Sequence, residues 1–332
     1  MQPEIRLFLY FTLLIVTAQA SLFKLTPKSR RSYQPLYKRV PTPANAGSVS
    51  SICSCGYYIP ETKQTFTHYV TLKPDALSAN NLPDSLSKQG WEISSYELTS
   101  KPKNITYTPS NLSFNPSSRA LELIVSGGST NRTSIPSAEI STKINSIRYG
   151  SFRFKVKASP VAGACSGMFF YKDDNHEIDI EILTSHIHNG GSQADGIPLP
   201  GLQLTVQRLT QSQTLSNYKV LPFDGSYDPT KGYHEYRFDW LQSGVRYFID
   251  GNSTSPYTKF IPNVPGSILI NNWSNGDRYW PAGPPTQNSI LSIREVDLYF
   301  NVTDPSLLRA WEAGCKSAGY VRTCSVAPSK GG

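Results

Sequence analysis

His176-Glu177-Ile178-Asp179-Ile180-Glu181-Ile182-Leu183 alternates acid and isoleucine over eight residues. A period of two is the period of a β-strand, whose successive side chains point to opposite faces. One face of this strand therefore carries Glu177, Asp179 and Glu181. The other carries Ile178, Ile180 and Ile182, β-branched side chains suited to a core. Three acids in line repel one another, so folding alone gives no reason to place them there. Paired carboxyl groups are what cleavage of a glycosidic bond uses, one as acid and another as nucleophile or base. A solvated strand face is the competing reading. A metal site is another, because His176, His186 and His188 lie nearby, but a straight strand rarely makes ligands converge.

The local frame is a hairpin. Ser166-Gly167-Met168-Phe169-Phe170-Tyr171 reads as a strand, Lys172-Asp173-Asp174-Asn175 as a turn, and His176–Leu183 as the return strand. Further out, the signals stay β-rich. Ala120–Val125 is an apolar run that ends at Ser126-Gly127-Gly128. In Ser151–Ala158, Phe152, Phe154, Val156 and Ala158 share one face and Arg153, Lys155 and Lys157 the other. Tyr233–Trp240 puts His234, Tyr236, Phe238 and Trp240 together. Gly244–Asp250 runs into Asp250-Gly251, a hairpin turn signal. Ser267–Asn271 and Ser289–Phe300 complete the set. The one clear helix starts with Asp304 as N-cap and Pro305 in the first turn, and is expected to stop near Gly314. Short alternating strands with little helix predict an all-β fold, a jelly-roll sandwich of two antiparallel sheets with a concave cleft.

The chain has 332 residues. Arg6, the apolar run Leu7–Val16 and Ala18-Gln19-Ala20 form a secretory signal pattern over residues 1–20, too short to span a bilayer. Residues 21–48 carry Lys24, Lys28, Arg30, Arg31, Lys38 and Arg39 and no acid, which accounts for +6 of the net charge of +8. This basic, Pro-containing stretch reads as a tail or propeptide, with Arg30-Arg31 and Lys38-Arg39 as dibasic sites for a kexin-type protease. It does not read as a nucleic-acid surface. One domain is expected over residues 49–303, then a short helix and tail over 304–332. The polar C-terminal stretch argues against a lipid anchor. The expected product is a secreted monomer, extracellular or in a cell wall.

Asn104, Asn111, Asn131, Asn252, Asn272 and Asn301 begin glycosylation sequons, and all but Asn272 are expected to carry a glycan. Of the five cysteines, Cys315 and Cys324 are the preferred pair, and Cys53 or Cys55 is a candidate partner for Cys165, leaving one thiol over. No Cys/His signature suggests a catalytic cysteine.

Glu177-Ile178-Asp179-Ile180-Glu181 resembles the Glu-x-Asp-x-Glu motif of glycoside hydrolase family 16, the β-glucanases with a concanavalin-like jelly roll. Gly150–Lys155, Asp228–Trp240, Tyr247–Gly251, Asn271–Gly276 and Trp280–Pro285 extend the resemblance over roughly Tyr149 to Phe300. It implies a β-glucan polysaccharide as substrate, no cofactor and no metal. It assigns Glu177 as nucleophile, Glu181 as general acid and then base, and Asp179 as assistant between them. The Cα atoms of Glu177 and Glu181 are about 13 Å apart on a regular strand, so the side chains must lean inward to reach the separation of about 5–5.5 Å of a retaining enzyme. Some family members insert a residue between the Asp and the second Glu. The regular spacing here is similar to lichenases, plant xyloglucan-modifying enzymes and fungal wall transglycosylases, which leaves water or a second sugar as the final acceptor. Trp273, Trp280, Tyr171 and Phe169 are candidates for stacking on sugar rings, and Gln203 and Arg246 for binding hydroxyls. Trp240 and Trp91 are assigned to the core, and His188 to a surface loop.

Overall fold

Ile178, Ile180 and Ile182 are buried, and what they pack against is a second sheet. The computed structural model describes residues 53–128, 131–187, 199–209, 214–223, 227–254 and 256–328. The expectations for segments 1–20 and 21–48, and for His188, lie outside the described residues. In chain order the strands are β1 (Tyr57–Ile59), β2 (Gln64–Phe66), β3 (His68–Leu72), β4 (Trp91–Ile93), β5 (Tyr96–Leu98), β6 (Asn104–Tyr107), β7 (Leu112–Asn115), β8 (Ala120–Val125), β9 (Ser134–Thr142) and β10 (Ile147–Lys157). There follow β11 (Cys165–Asp173), β12 (His176–Leu183), β13 (Leu202–Leu209), β14 (Thr214–Leu221), β15 (His234–Leu241), β16 (Gly244–Ile249), β17 (Asn252–Ser253), β18 (Ser267–Trp273), β19 (Ser289–Val302) and β20 (Cys324–Ser325). Two α-helices are described, α1 (Leu82–Lys88) and α2 (Pro305–Ser317).

Nine strands form the sheet that carries the acids, in the order β14-β13-β12-β11-β18-β9-β6-β5, with β4 added beside β9. Eight form its partner, β17-β16-β15-β10-β19-β8-β7, with β3 on β19. The fold is the jelly-roll sandwich. The alternation read from sequence explains why the two sheets close on each other. Phe152, Phe154 and Val156 on β10 and Tyr236, Phe238 and Trp240 on β15 face inward. They meet Met168, Phe170 and the three isoleucines of β12, and the Phe170 and Trp240 ring centroids are 4.2 Å apart. Burying each such side chain contributes about 1.5–3 kcal/mol. Trp91 and Trp240 are buried as expected, and their indole N–H groups donate to Thr71 and Pro262 carbonyls. The Tyr247 hydroxyl bridges the layers by donating to the Thr205 carbonyl at 2.6 Å. The Asp250-Gly251 turn between β16 and β17 has positive φ at both residues, the two-residue hairpin its sequence predicts.

A third layer is a departure from the expected two. β2-β1-β20 forms a small sheet over the outer face of the eight-stranded one. Tyr57, Ile59 and Phe66 pack on Tyr299 and Tyr69. Beneath it the outward-facing Arg153 and Arg237 are buried. Arg237 pairs with Asp239 and Glu61, and Arg153 donates to the Ala327 carbonyl. Pairing of β1 with β20, in register Tyr57↔Cys324, sets the disulfides. They are Cys53–Cys324 and Cys55–Cys315, and Cys165 is free. The expected Cys315–Cys324 pair is therefore wrong, and so is a bridge to Cys165. Proximity in sequence was the wrong guide, because the parallel pairing brings each C-terminal cysteine to a different N-terminal one. Helix α2 also outruns its expected end near Gly314. It continues through Cys315, buried and bonded to Cys55, and Gly319 then takes the left-handed conformation just beyond Ser317. Its start is as read, with Asp304 accepting from the Ser306 and Leu307 amides.

The sequons divide by environment. Asn131 and Asn252 are exposed, while Asn104 and Asn301 are half-buried and hydrogen-bonded through their amides. Asn111 corrects the expectation. It is buried, and its amide nitrogen donates to the Ile124 carbonyl and the Ser126 hydroxyl, leaving no space for a glycan. Asn272 also points inward, donating to the Leu123 and Ser289 carbonyls. Among the described residues no helix is long and apolar enough to cross a membrane.

Candidate active site

Strand β12 lies between β11 and β13, and antiparallel register decides which side chains flank each acid. Glu177 is opposite Tyr171 and Gln207, Asp179 is opposite Phe169 and Thr205, and Glu181 is opposite Gly167 and Gln203. Directly opposed residues share a face, so all of these lie on the face turned away from the core. The register runs without a break from Glu177 to Ile182, so β12 has no bulge between Asp179 and Glu181. Gly167 leaves room on this face. A Cβ there would come within 2.7 Å of Asn271 Oδ1, in the space beside Glu181.

The acids are held differently. Gln207 Nε2 donates to Glu177 Oε2 at 3.0 Å and to Asp179 Oδ2 at 3.4 Å. Asp179 is buried, with 3% exposure, and hydrogen-bonds Glu177. On the β11 side, Cys165 Sγ donates to Glu181 Oε1 at 3.1 Å, and the Trp280 side chain bonds the same carboxyl. Burial pushes all three carboxyls up from the usual carboxylate range, Glu177 to about 8 and Asp179 furthest above its ordinary value. The charges of Glu177 and Glu181 add to the rise at Asp179. The bond between Asp179 and Glu177 lowers the pKa of Glu177 and raises that of Asp179. In such an array neighbouring carboxylates resist joint ionisation, so one member can be ionised while another keeps its proton. A fourth carboxyl, Glu139 on β9, shares the face. It is buried, pushed up by that burial, and accepts from Ser94, Tyr96 and Asn271.

Five of the six binding candidates fall on the sheet or loops around the acids. Phe169 and Tyr171 are half-buried on the same face, with ring centroids 6.4 Å apart in an edge contact. Trp273, half-buried, is opposite Cys165 on β18, and Trp280 reaches Glu181. Gln203 is fully buried, not open to a ligand. Its amide nitrogen donates to the Leu199 and Gly201 carbonyls, and its oxygen accepts from the Tyr218 hydroxyl. Arg246 is not at the site. It alternates with the core residues Val245 and Tyr247 on β16, so it points outward from the opposite sheet, exposed and across from Asp239. Sequence reading missed Gln207, Cys165, Asn271, Glu139 and Tyr218. Tyr218, on β14 opposite Thr205, is a large side chain left substantially exposed on the acid-bearing face. Its alternation was visible in sequence, but its place two strands from Asp179 was not. Among the described residues no three His, Cys, Asp or Glu side chains converge as a metal site.

Residues 94–288 match the sequence profile of Glycosyl hydrolases family 16. A xylanase/β-glucanase of Ruminococcus flavefaciens is 30% identical over 134 residues, which is 39% of this chain and 15% of that protein. A β-glucanase of Bacillus subtilis strain 168 is 27% identical over 132 residues, 38% of this chain and 47% of that one. The chain thus spans less than half the length of either relative. Among solved structures, the Bacillus licheniformis β-glucanase superposes with a TM-score of 0.51 at 21% identity, covering 63% of this chain and 91% of that one. That likeness is one of fold.

Proposed function

Because the chain belongs to family 16 of the glycosyl hydrolases, we propose that it is a secreted, retaining, endo-acting glycosidase that cleaves β-linked glucan of cell walls by double displacement. The observation that carries this reading is the row Glu177, Asp179, Glu181 on one open face, its first two members gripped together by Gln207. In the first step, ionised Glu177 attacks the anomeric carbon and the C–O bond to the leaving sugar breaks. Glu181 gives its proton to the departing oxygen. Asp179, protonated, donates to Glu177 and relinquishes part of that hydrogen bond as the carboxylate becomes an ester. In the second step Glu181, now ionised, takes a proton from an incoming hydroxyl, whose oxygen displaces Glu177 and restores the β configuration. Phe169, Tyr171, Trp273 and Trp280 offer apolar ring faces to the C–H faces of sugars. Two disulfides fit an oxidising compartment, in keeping with the signal-like first 20 residues.

A transglycosylase is the second reading, and the unbroken register between Asp179 and Glu181 is compatible with it as with hydrolysis. It differs only in the hydroxyl that resolves the intermediate. Purified protein incubated with soluble β-glucans and xyloglucan, with and without labelled oligosaccharide acceptors, separates the two. New reducing ends without labelled polymer mean hydrolysis, and label entering longer chains means transfer. No product on any substrate, with retention on insoluble glucan, would leave a glucan-binding module instead.

A further inference from the structure

Four of the five cysteines are tied in disulfides on the far side of the molecule, and the fifth, Cys165, is a buried thiol beside Glu181. The two glutamates are held from opposite flanks. Gln207 on β13 reaches Glu177, and Cys165 on β11 reaches Glu181 Oε1 at 3.1 Å. The Trp280 side chain lies beside both the thiol and the carboxyl. The steps above make no use of the thiol. Cys165 is opposite Leu183 on one strand and Trp273 on the other, a setting for a small apolar side chain with one weak donor.

We propose that Cys165 is a positioning residue for Glu181: its thiol, donating to Oε1, fixes the carboxyl at the point from which it protonates the leaving oxygen. The proposal rests on reading Glu181 as the acid/base. A thiol is suited to this because it donates weakly. It orients the carboxyl in either protonation state without much favouring the ionised one. A hydroxyl in its place would donate more strongly and draw the proton off Glu181 at lower pH. Burial pushes the thiol itself well up, so it remains S–H throughout the working range. The other ionisable groups around Glu181 are Glu177 and Asp179 on β12, Glu139 on β9, Tyr107 on β6, Tyr218 on β14, and His186, Asp277 and Arg278 near the Trp280 loop. All are unchanged in variants of Cys165, so a shift between those variants reports the thiol.

Two measurements test this. Infrared spectroscopy reads the S–H stretch of the single free thiol without any turnover. The band is expected at a lowered, hydrogen-bonded frequency and to move up in Glu181→Ala. A band that does not move overturns the proposal, whatever the enzyme's activity. The second measurement is the pH profile of kcat/KM for Cys165→Ala and Cys165→Ser. The alkaline limb should rise by about half a pH unit or more in Cys165→Ala and fall in Cys165→Ser. Cys165→Ala should slow polysaccharide cleavage about fivefold or more. It should leave a dinitrophenyl glycoside, whose leaving group needs no proton, within about twofold. Equal loss on both substrates with an unshifted limb would mean a structural role only. If Glu177→Gln and Glu181→Gln both retain turnover, the acid assignment falls, while the S–H band still decides the contact.

Discussion

Gln207 and Glu177 face each other across the β12–β13 ladder, and the Gln207 amide nitrogen lies 3.0 Å from Glu177 Oε2 and 3.4 Å from Asp179 Oδ2. An amide with two hydrogens can satisfy two carboxyls without adding charge. It therefore holds the two carboxyls together. Glu177 must be ionised to attack, although burial favours its neutral form, and the hydrogen bond from Asp179 opposes part of that burial.

Replacement of either glutamate should separate their roles. Glu177→Ala and Glu181→Ala are each expected to lose about a thousandfold or more in kcat on polysaccharide. Added azide should restore turnover in both, giving α-glycosyl azide from Glu177→Ala and β-glycosyl azide from Glu181→Ala. The anomer is read by NMR. The opposite pairing of product and variant would exchange the assignments.

Gln207→Ala should leave the fold intact and lower kcat more than it changes KM. The loss of a donor to ionised Glu177 raises that carboxyl further, so the acidic limb of the pH profile should move to higher pH. An acidic limb that stays in place would mean that Asp179 alone keeps Glu177 ionised.

The raised carboxyls make a stability prediction with a definite sign. A carboxyl whose pKa is higher in the folded state binds its proton more tightly there, so its contribution is fully present below the unfolded value of about 4.3. It is lost as pH rises through the folded value, which for Glu177 is about 8. Thermal stability should therefore fall between about pH 4 and pH 8 on account of this site. Glu177→Gln should gain a few degrees of Tm over wild type at pH 8 and converge with it at pH 4. Scanning calorimetry at the two pH values checks the difference. A gap that is constant with pH would remove the titration from the explanation.

Tyr218 stands on the acid-bearing face with its ring exposed and its hydroxyl held by buried Gln203. Tyr218→Ala should raise KM for polysaccharide about tenfold, as expected for loss of one stacked sugar. Tyr218→Phe should keep most of the binding. Equal KM in all three proteins would confine Tyr218 to an edge role.

The face of each β12 side chain was legible because alternation is local: three isoleucines in a row on one side cannot be read any other way. Alternation could not have placed Arg246. It tells that a side chain leaves the core, and both sheets have a side that leaves the core. Gln207, Gly167 and Cys165 were not legible as neighbours of the acids, because register between strands is settled by contacts distant in sequence. The disulfides failed for a related reason. Cys53 and Cys324 are 271 residues apart, and only the parallel pairing of β1 with β20 makes them neighbours.

That pairing has a consequence for biosynthesis. Cys53 and Cys55 leave the ribosome early, but the strand and helix that complete their layer include residues 315–325. Until those residues have been made, β1 and β2 have no third strand, both thiols have no partner, and Arg153 lacks the Ala327 carbonyl. The sandwich can begin to assemble during synthesis, but its outer clasp cannot close until translation is nearly finished. A protein truncated before Cys315 should therefore leave the ribosome with both early thiols reactive, and trapping them on stalled chains of increasing length would mark the point at which the clasp closes.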